Sequence, residues 1–228
     1  MNLALDIGNT AVKWATFEGR IMTSHGTGLP SADTLASAGS AMACASGDTA
    51  ALDSRIATLG ATTPLPISLD YRTPHTLGPD RIAAACGARA LHPADDCLVI
   101  DAGTCVTVDF LDRTGIYHGG AILPGLSMNL QALHTFTAKL PLIDIEAGRQ
   151  APVLGRSTEE SIVAGTLGAM QMALAGFVAL YRQKCPALRV LVSGGDAERL
   201  LPAGTNGSEQ VPLLTLIGLN EIMIYNEK

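Results

Sequence analysis

LALDIGNTAVKWATFEGR, residues 3–20, and CLVIDAGTCVTVDFLDRTG, residues 97–115, are two copies of one pattern. In each, an apolar run leads to Asp-x-Gly with a threonine close behind, followed by a second apolar run and a polar turn. Asp6 heads the first copy and Asp101 the second. A single Asp-x-Gly marks many ordinary hairpins. The same unit in both halves of the chain points instead to a duplicated strand–turn–strand element, with an acid and a hydroxyl at its tip.

The chemistry of such a tip suits phosphate. Gly8 and Gly103 lack a Cβ, so backbone and ligand can approach closely. Successive N–H groups in a tight turn make a nest for an anion, and Thr10 and Thr104 add hydroxyl donors. A carboxylate beside a phosphate repels it unless a cation lies between them. Asp6 and Asp101 therefore suggest Mg²⁺ or another hard, oxygen-seeking ion.

The 228 residues allow one large domain or two lobes of about 100 residues each, and the 47% of apolar residues is enough for a sizeable core. The net charge of −6 and the lack of any basic run argue against nucleic acid as a partner. Five cysteines without CxxC spacing fit neither a disulfide framework nor a zinc site and predict reduced, mostly buried thiols. His25, His75, His92, His118 and His134 show no paired metal-ligand spacing; His118 and His134, near Gly119-Gly120, are given no catalytic role. No signal peptide is expected from the N-terminal residues, and a cytoplasmic location follows. Residues 161–181 carry no charge and are long enough to span a bilayer. A buried helix looks the same, and a single span would separate phosphate-type motifs that need the same side, so no membrane is expected.

Strands are expected at 2–6, 11–17, 20–25 and 41–46, with a helix from Asp48 to Leu59. The polar segment DYRTPHTLGPDR (70–81) reads as a surface loop, with Asp80 capping a helix from Arg81 to Leu91. The second half repeats the meander at 97–101, 104–111 and 116–122. A helix at 127–138 follows, then a loop at 139–156. Ser157-Thr158-Glu159-Glu160 caps an uncharged helix running to Gln183. A strand at 189–192 leads into Ser193-Gly194-Gly195-Asp196, a strand–glycine turn–helix arrangement that often meets phosphate, and a helix at 214–225 closes the chain. The order predicts two similar α/β lobes, residues 1–96 and 97–228, with a nucleotide cleft between their Asp-Gly turns.

Together DIGNT with Lys13, DYRTP, GPDR, DAGT, GGAILPG, the STEES region and SGGD resemble the type III pantothenate kinases, members of the acetate kinase/sugar kinase/Hsp70/actin superfamily. GPDR after a tyrosine-containing loop is the discriminating piece. The resemblance implies two actin/ribonuclease-H-like lobes, a homodimer, and ATP-dependent phosphorylation of pantothenate at its 4′-hydroxyl. It implies a first phosphate loop of Asp6, Ile7, Gly8, Asn9, Thr10, Ala11, Val12 and Lys13, with Asp6 near Mg²⁺. Tyr71, Gly78, Pro79, Asp80 and Arg81 would form the pantothenate pocket, with Asp80 as general base. Asp101 would help bind a monovalent cation, K⁺ or NH₄⁺, and Thr104 would contact ATP phosphate. Gly194-Gly195 would lie near the nucleotide, and Thr158 would touch pantothenate from a partner subunit. Cys105 stands where alanine is common in the family, and the stretch between residues 20 and 70 is short for it.

Each residue also has a plainer reading. Asp80 can be only a helix cap, Arg81 a surface charge rather than a partner for the pantothenate carboxylate, and Lys13 the solvent face of a strand. Tyr71 can be a loop aromatic and Thr158 a helix-start residue. Two other functions stay open. One is a superfamily kinase or phosphohydrolase acting on another small molecule. The other is a non-catalytic ATP-binding regulator accessory to transcription.

Overall fold

The structure, a computed structural model of the chain, describes residues 1–45, 52–146 and 148–227. Asn2–Ile7 (β1) and Val12–Glu18 (β2) form the first antiparallel hairpin, with Leu5 opposite Trp14 and Asp6 opposite Lys13. Ile21–Thr27 (β3) continues the meander and leaves most of its residues in solvent, as an edge strand can. Ser31 then caps a short helix, Ala32–Ala36 (α1), its hydroxyl accepting the Thr34 N–H. Ser40–Ala45 (β4) runs parallel to β1, and Ala57–Thr58 (β5) pairs beyond it. The sheet order is β3-β2-β1-β4-β5. The central strand β1 is buried along nearly its whole length, which is why LALDI is almost uniformly apolar.

The second sheet contains Ser68–Leu69 (β6), Cys97–Ala102 (β7), Cys105–Leu111 (β8), Ile116–Pro124 (β9), Arg189–Ser193 (β10) and Ser208–Gln210 (β11). Its order is β11-β10-β7-β8-β9-β6. Without β6 it repeats the first sheet, β7-β8-β9 standing for β1-β2-β3 and the parallel pair β10-β11 for β4-β5. The duplicated sequence unit thus carries a duplicated topology, and the α/β class expected from sequence is the one observed.

The chain divides into two compact units. The first comprises Met1–Cys97, Asp109–Gly119 and Leu213–Lys228, the second Leu98–Val108 and Gly120–Pro212. In the first unit Leu3, Leu5, Ile7, Ala43 and Ile56 form a core that Val12, Trp14 and Leu35 extend. Pro79–Leu91 (α2) packs across the last helix, which also covers β1 and β4. The last helix is apolar nearly all round because it is buried nearly all round; its Asn220 is satisfied by Asn2 and by the Gly19 carbonyl.

The two helices cross at glycines. A Cβ on Gly218 would overlap the Ala83 carbonyl oxygen, and one on Gly87 the Leu214 carbonyl oxygen. Backbone cannot yield as a side-chain end can, so Gly218→Ala is expected to cost about 2–3 kcal/mol in urea unfolding. Gly176→Ala, where nothing lies within 4 Å, should instead be neutral or stabilising by up to about 1 kcal/mol. Equal effects of the two substitutions would refute the close-crossing argument.

In the second unit the helices are Leu126–Thr135 (α3), Thr158–Val163 (α4), Ala169–Lys184 (α5) and Ala197–Leu200 (α6). The last helix of the chain, in the first unit, is Leu214–Asn226 (α7). Ser157 caps α4 by accepting the Glu160 N–H, while the Glu160 carboxylate accepts the Arg156 N–H. The uncharged helix is not uniform: a π turn at Ala164–Gly168 joins α4 to α5, and the Thr166 hydroxyl donates to the Ile162 carbonyl inside it. This 27-residue helix, Thr158–Lys184, is long and apolar enough to cross a membrane. It buries Leu167, Met170, Leu174 and Val178 and exposes Met172 and Leu180.

One expected element is overturned. Residues 52–59 are not helical; residues 48–51 of that expected helix lie outside the described residues. Asp53 accepts both the Arg55 N–H and its guanidinium, a local arrangement that competes with a helix. Ala57–Thr58 is then captured by β4.

Candidate active site

In the first unit the turn after β1 closes with the Gly8 N–H donating to the Ala11 carbonyl at 3.1 Å. Asn9, Thr10 and Ala11 are exposed at its tip, while Gly8 is half-buried. Ile7 is buried in the core, so only its backbone can serve a ligand. Val12 begins β2 and packs against the core. Lys13 stands directly opposite Asp6 in the ladder, and paired residues share a face. The lysine therefore belongs with the acid at the turn.

Asp6 is crowded by groups from three elements. The Cys44 thiol of β4 donates to its Oδ1 across 3.4 Å. Burial pushes the Asp6 carboxyl above the ordinary carboxylate range; Cys44 and Lys13 pull it down, and the charge of Asp80 pushes it further up. Burial and the neighbouring Asp6 carry the Cys44 thiol well above its ordinary value, so it stays a neutral donor. The Asp6 carboxylate, with the charge of Asp80 and a lysine alongside, suits a hard cation. Mg²⁺ takes one or two protein carboxylates and fills its other positions with phosphate and water.

Asp80 reaches this neighbourhood from α2. The helix starts at Pro79, whose fixed φ suits the first helical position, and its cap is Gly78. The expectation that Asp80 caps the helix is thus corrected: it occupies the second helical position, and its Oδ1 accepts the Arg81 N–H at 2.9 Å. The carboxylate lies over Gly78, where a Cβ would come within 2.5 Å of Oδ1. Gly78→Ala is expected to leave folding intact, because a carboxylate can swing, but to displace Asp80 and lower kcat about 10–100-fold. Unchanged kcat would show that the carboxylate's position has no bearing on turnover.

Arg81 is only 7% exposed, which removes the surface-charge reading. Its Nε donates to both oxygens of Asp109 at 3.1 Å, and its Nη2 to Oδ1. The Tyr117 hydroxyl adds a third donor to Asp109 at 2.6 Å. Burial acts to lower the Arg81 value, but Asp109 outweighs it, and the guanidinium is held more firmly charged than usual. Tyr71 adds to the hold on the Arg81 charge and stacks obliquely on Tyr117, ring centroids 6.1 Å apart. Beside it, Gly119 has φ +85°, and a Cβ there would meet the Tyr71 ring at 2.9 Å. Cys44, Asp109 and Tyr117 belong to this constellation, although no motif marked them. The sequence signal for Asp109 was a charge inside the apolar run VTVDFL.

The second unit gathers a separate group of motifs. After Asp101, half-buried in β7, the turn closes with the Gly103 N–H on the Cys105 carbonyl at 3.0 Å. Thr104 is exposed, and its carbonyl accepts the Gly125 N–H. The Asp196 N–H donates to the Ala102 carbonyl, and Gly194, at φ +98°, packs on the same strand so closely that a Cβ would overlap Ala102. DAGT, LPG and SGGD thus converge on one strand end. Thr158, at the first position of α4, lines an open groove of about 730 Å³ with Arg156, Ser157, Ser161 and Leu133.

The chain is 38% identical over 243 residues to a type III pantothenate kinase of Phocaeicola vulgatus, covering all of both chains. Among solved structures it is similar to a conserved protein of Campylobacter jejuni assigned to the Baf family of transcriptional activators (TM-score 0.66, 20% identity, 99% of this chain and 98% of that one). It is also similar to the activator of 2-hydroxyisocaproyl-CoA dehydratase from Clostridium difficile, solved with ADPNP (TM-score 0.56, 14% identity, 99% and 94%). At those identities the structures speak for the fold alone. The family model for type III pantothenate kinase matches residues 45–180. With the full-length relative, that match places the chain in the type III pantothenate kinase family.

Proposed function

We propose that this protein transfers the γ-phosphoryl group of ATP to the 4′-hydroxyl of pantothenate, the first step of coenzyme A synthesis. The observation that carries the reading is the meeting of Asp6, Lys13 and Asp80 in one unit, in a chain of this family. Phosphoryl transfer needs positioning and charge neutralisation more than covalent chemistry. The turn from Asp6 to Lys13 offers N–H groups, a hydroxyl and an ammonium to phosphate. Asp6 would hold Mg²⁺, which neutralises phosphate charge when bound. Asp80, fixed by the Arg81 N–H, accepts the proton of the attacking hydroxyl.

Tyr71, Gly78, Pro79, Asp80 and Arg81 form the pantothenate pocket in this reading. With its guanidinium held by Asp109, Arg81 contributes a fixed charge rather than a mobile clamp. In the second unit Thr104 contacts ATP phosphate, Gly194-Gly195 adjoins the nucleotide, and Asp101 serves a monovalent cation, K⁺ or NH₄⁺. A homodimer would cover the exposed apolar side of α5 and bring Thr158 to a partner's pantothenate. The protein would work in the cytoplasm.

The test is ADP release by purified protein with ATP, Mg²⁺ and K⁺, with and without pantothenate. Pantothenate-dependent release is expected. Release with another small alcohol and not with pantothenate would replace the acceptor, and ATP binding without turnover on any acceptor would favour a regulatory role.

A further inference from the structure

His118 stands on β9 with a carboxylate at each ring nitrogen: Asp112 Oδ2 lies 2.8 Å from Nε2 and Asp70 Oδ2 3.2 Å from Nδ1. A carboxylate only accepts, and a neutral imidazole has one N–H. Both contacts are hydrogen bonds only when the ring is the imidazolium. The Phe110 ring of β8 stacks on it at 5.8 Å, a face that favours a cation.

The two carboxylates differ in mobility. Asp112 is an anchor: its Oδ1 accepts the Thr114 N–H, the Thr114 hydroxyl and the Ile116 N–H, which leaves Oδ2 for His118. Asp70 is the loose end, with a side chain 77% exposed. It immediately precedes Tyr71 and opens the segment that runs to Gly78. At this end β6 is only two residues long and ends at Leu69, so the segment is held to β9 by few groups beyond it. The Asp70 N–H donates to the Tyr117 carbonyl, and the next ring, Tyr71, packs on Tyr117 and Gly119.

We propose that His118 is a positioning residue: as imidazolium it bridges Asp112 to Asp70 and holds the Tyr71 segment against β9, so that ordering of the pantothenate pocket is switched by proton loss from His118. The inference rests on the pantothenate reading for what the pocket holds; the clamp itself rests on the geometry.

The charged groups that face the ring are Asp112 from the β8–β9 turn and Asp70 from the segment after β6; β8 contributes the uncharged Phe110 ring. Asp112 raises the His118 value, partial burial lowers it, and Asp70 raises it again, for a net upward displacement. A histidine with a raised value contributes its bridge fully below the ordinary value of 6.5. It loses that bridge as pH rises through the raised value. Asp112 remains charged throughout: burial acts upward on it, but the hydrogen bonds from Thr114, His118 and Ile116 outweigh that and keep it well below the ordinary range.

The experiment compares wild type, His118→Gln and Asp70→Ala, which removes the acceptor altogether, across this pH range by two readouts. In kinetics, the wild-type KM for pantothenate is expected to rise several-fold as pH increases, while kcat and the KM for ATP stay within about twofold. Both variants should show the raised KM already at low pH, with a flattened profile. In limited trypsin digestion, cleavage after the exposed Arg72, normalised to a free arginine peptide, should be faster in both variants, and wild type should converge on them at high pH. Identical pH profiles and identical Arg72 cleavage in wild type and variants would overturn the clamp. If wild type shows no pantothenate-dependent ADP release, the proposed function fails, and the cleavage comparison still decides the clamp.

Discussion

Asp80→Asn is expected to lower kcat by about 10²–10⁴-fold, the range for removing a positioned general base. The amide keeps the shape and can still accept the Arg81 N–H through its oxygen, so α2 should start as before. It cannot take a proton from the acceptor hydroxyl. Removing the negative charge also relieves the push of Asp80 on Asp6, so binding of Mg-ATP should not weaken. The check is a pair of measurements on one preparation: nucleotide affinity by calorimetry and turnover with pantothenate. Loss of both together would mean that Asp80 holds the site's structure rather than its chemistry. Turnover within about tenfold of wild type would remove Asp80 as base.

What the residues made legible follows the range of the interactions involved. The Asp-Gly turns could be read because their signal is local: a glycine, an acid and a hydroxyl within five positions, bounded by apolar runs. Their repetition then carried the strand order, since the same unit folds the same way twice. The start of α2 was legible to within two positions, since Pro79 rather than Asp80 opens its first turn; the shift of Asp80 from cap to second helical position turned on Gly78, whose lack of a side chain leaves the room. The short strands β6 and β11 have no pattern of their own. Three residues or fewer become strand only when a neighbouring edge pairs with them. Residues 52–59 misled because small and apolar residues suggested helix, whereas Asp53 and Arg55 satisfy one another locally. The partners of Arg81 and His118 were hidden for the opposite reason. Asp109 lies 28 residues from Arg81 and Asp70 48 residues from His118, separations at which no spacing rule operates.

Asp109→Ala carries the largest expected effect on stability. Asp109 is 2% exposed and accepts from the Arg81 guanidinium and the Tyr117 hydroxyl, so its removal strands a buried cation and a buried hydroxyl together. Breaking one side of a buried ion pair costs about 3–5 kcal/mol, a large part of the roughly 5–15 kcal/mol that holds a typical domain folded. The loss should register in urea unfolding as a lower midpoint. Asp109→Asn keeps an acceptor for both donors and should cost less. Arg81→Met leaves the Asp109 carboxylate with Tyr117 and should cost nearly as much as Asp109→Ala. The double variant Arg81→Met/Asp109→Leu replaces both charges with an apolar pair of similar volume and leaves only the Tyr117 hydroxyl without its acceptor, so it should cost less than either single change, about 1–3 kcal/mol. The cycle therefore should show strong coupling, the double variant standing well above either single one. Losses that simply add would mean that Arg81 and Asp109 do not depend on one another, and a loss below about 1 kcal/mol for Asp109→Ala would place the pair among ordinary surface contacts. Activity separates the remaining possibilities: if the fixed charge of Arg81 serves only the fold, the double variant should recover the KM for pantothenate along with stability, and if it serves the pocket, stability returns without it.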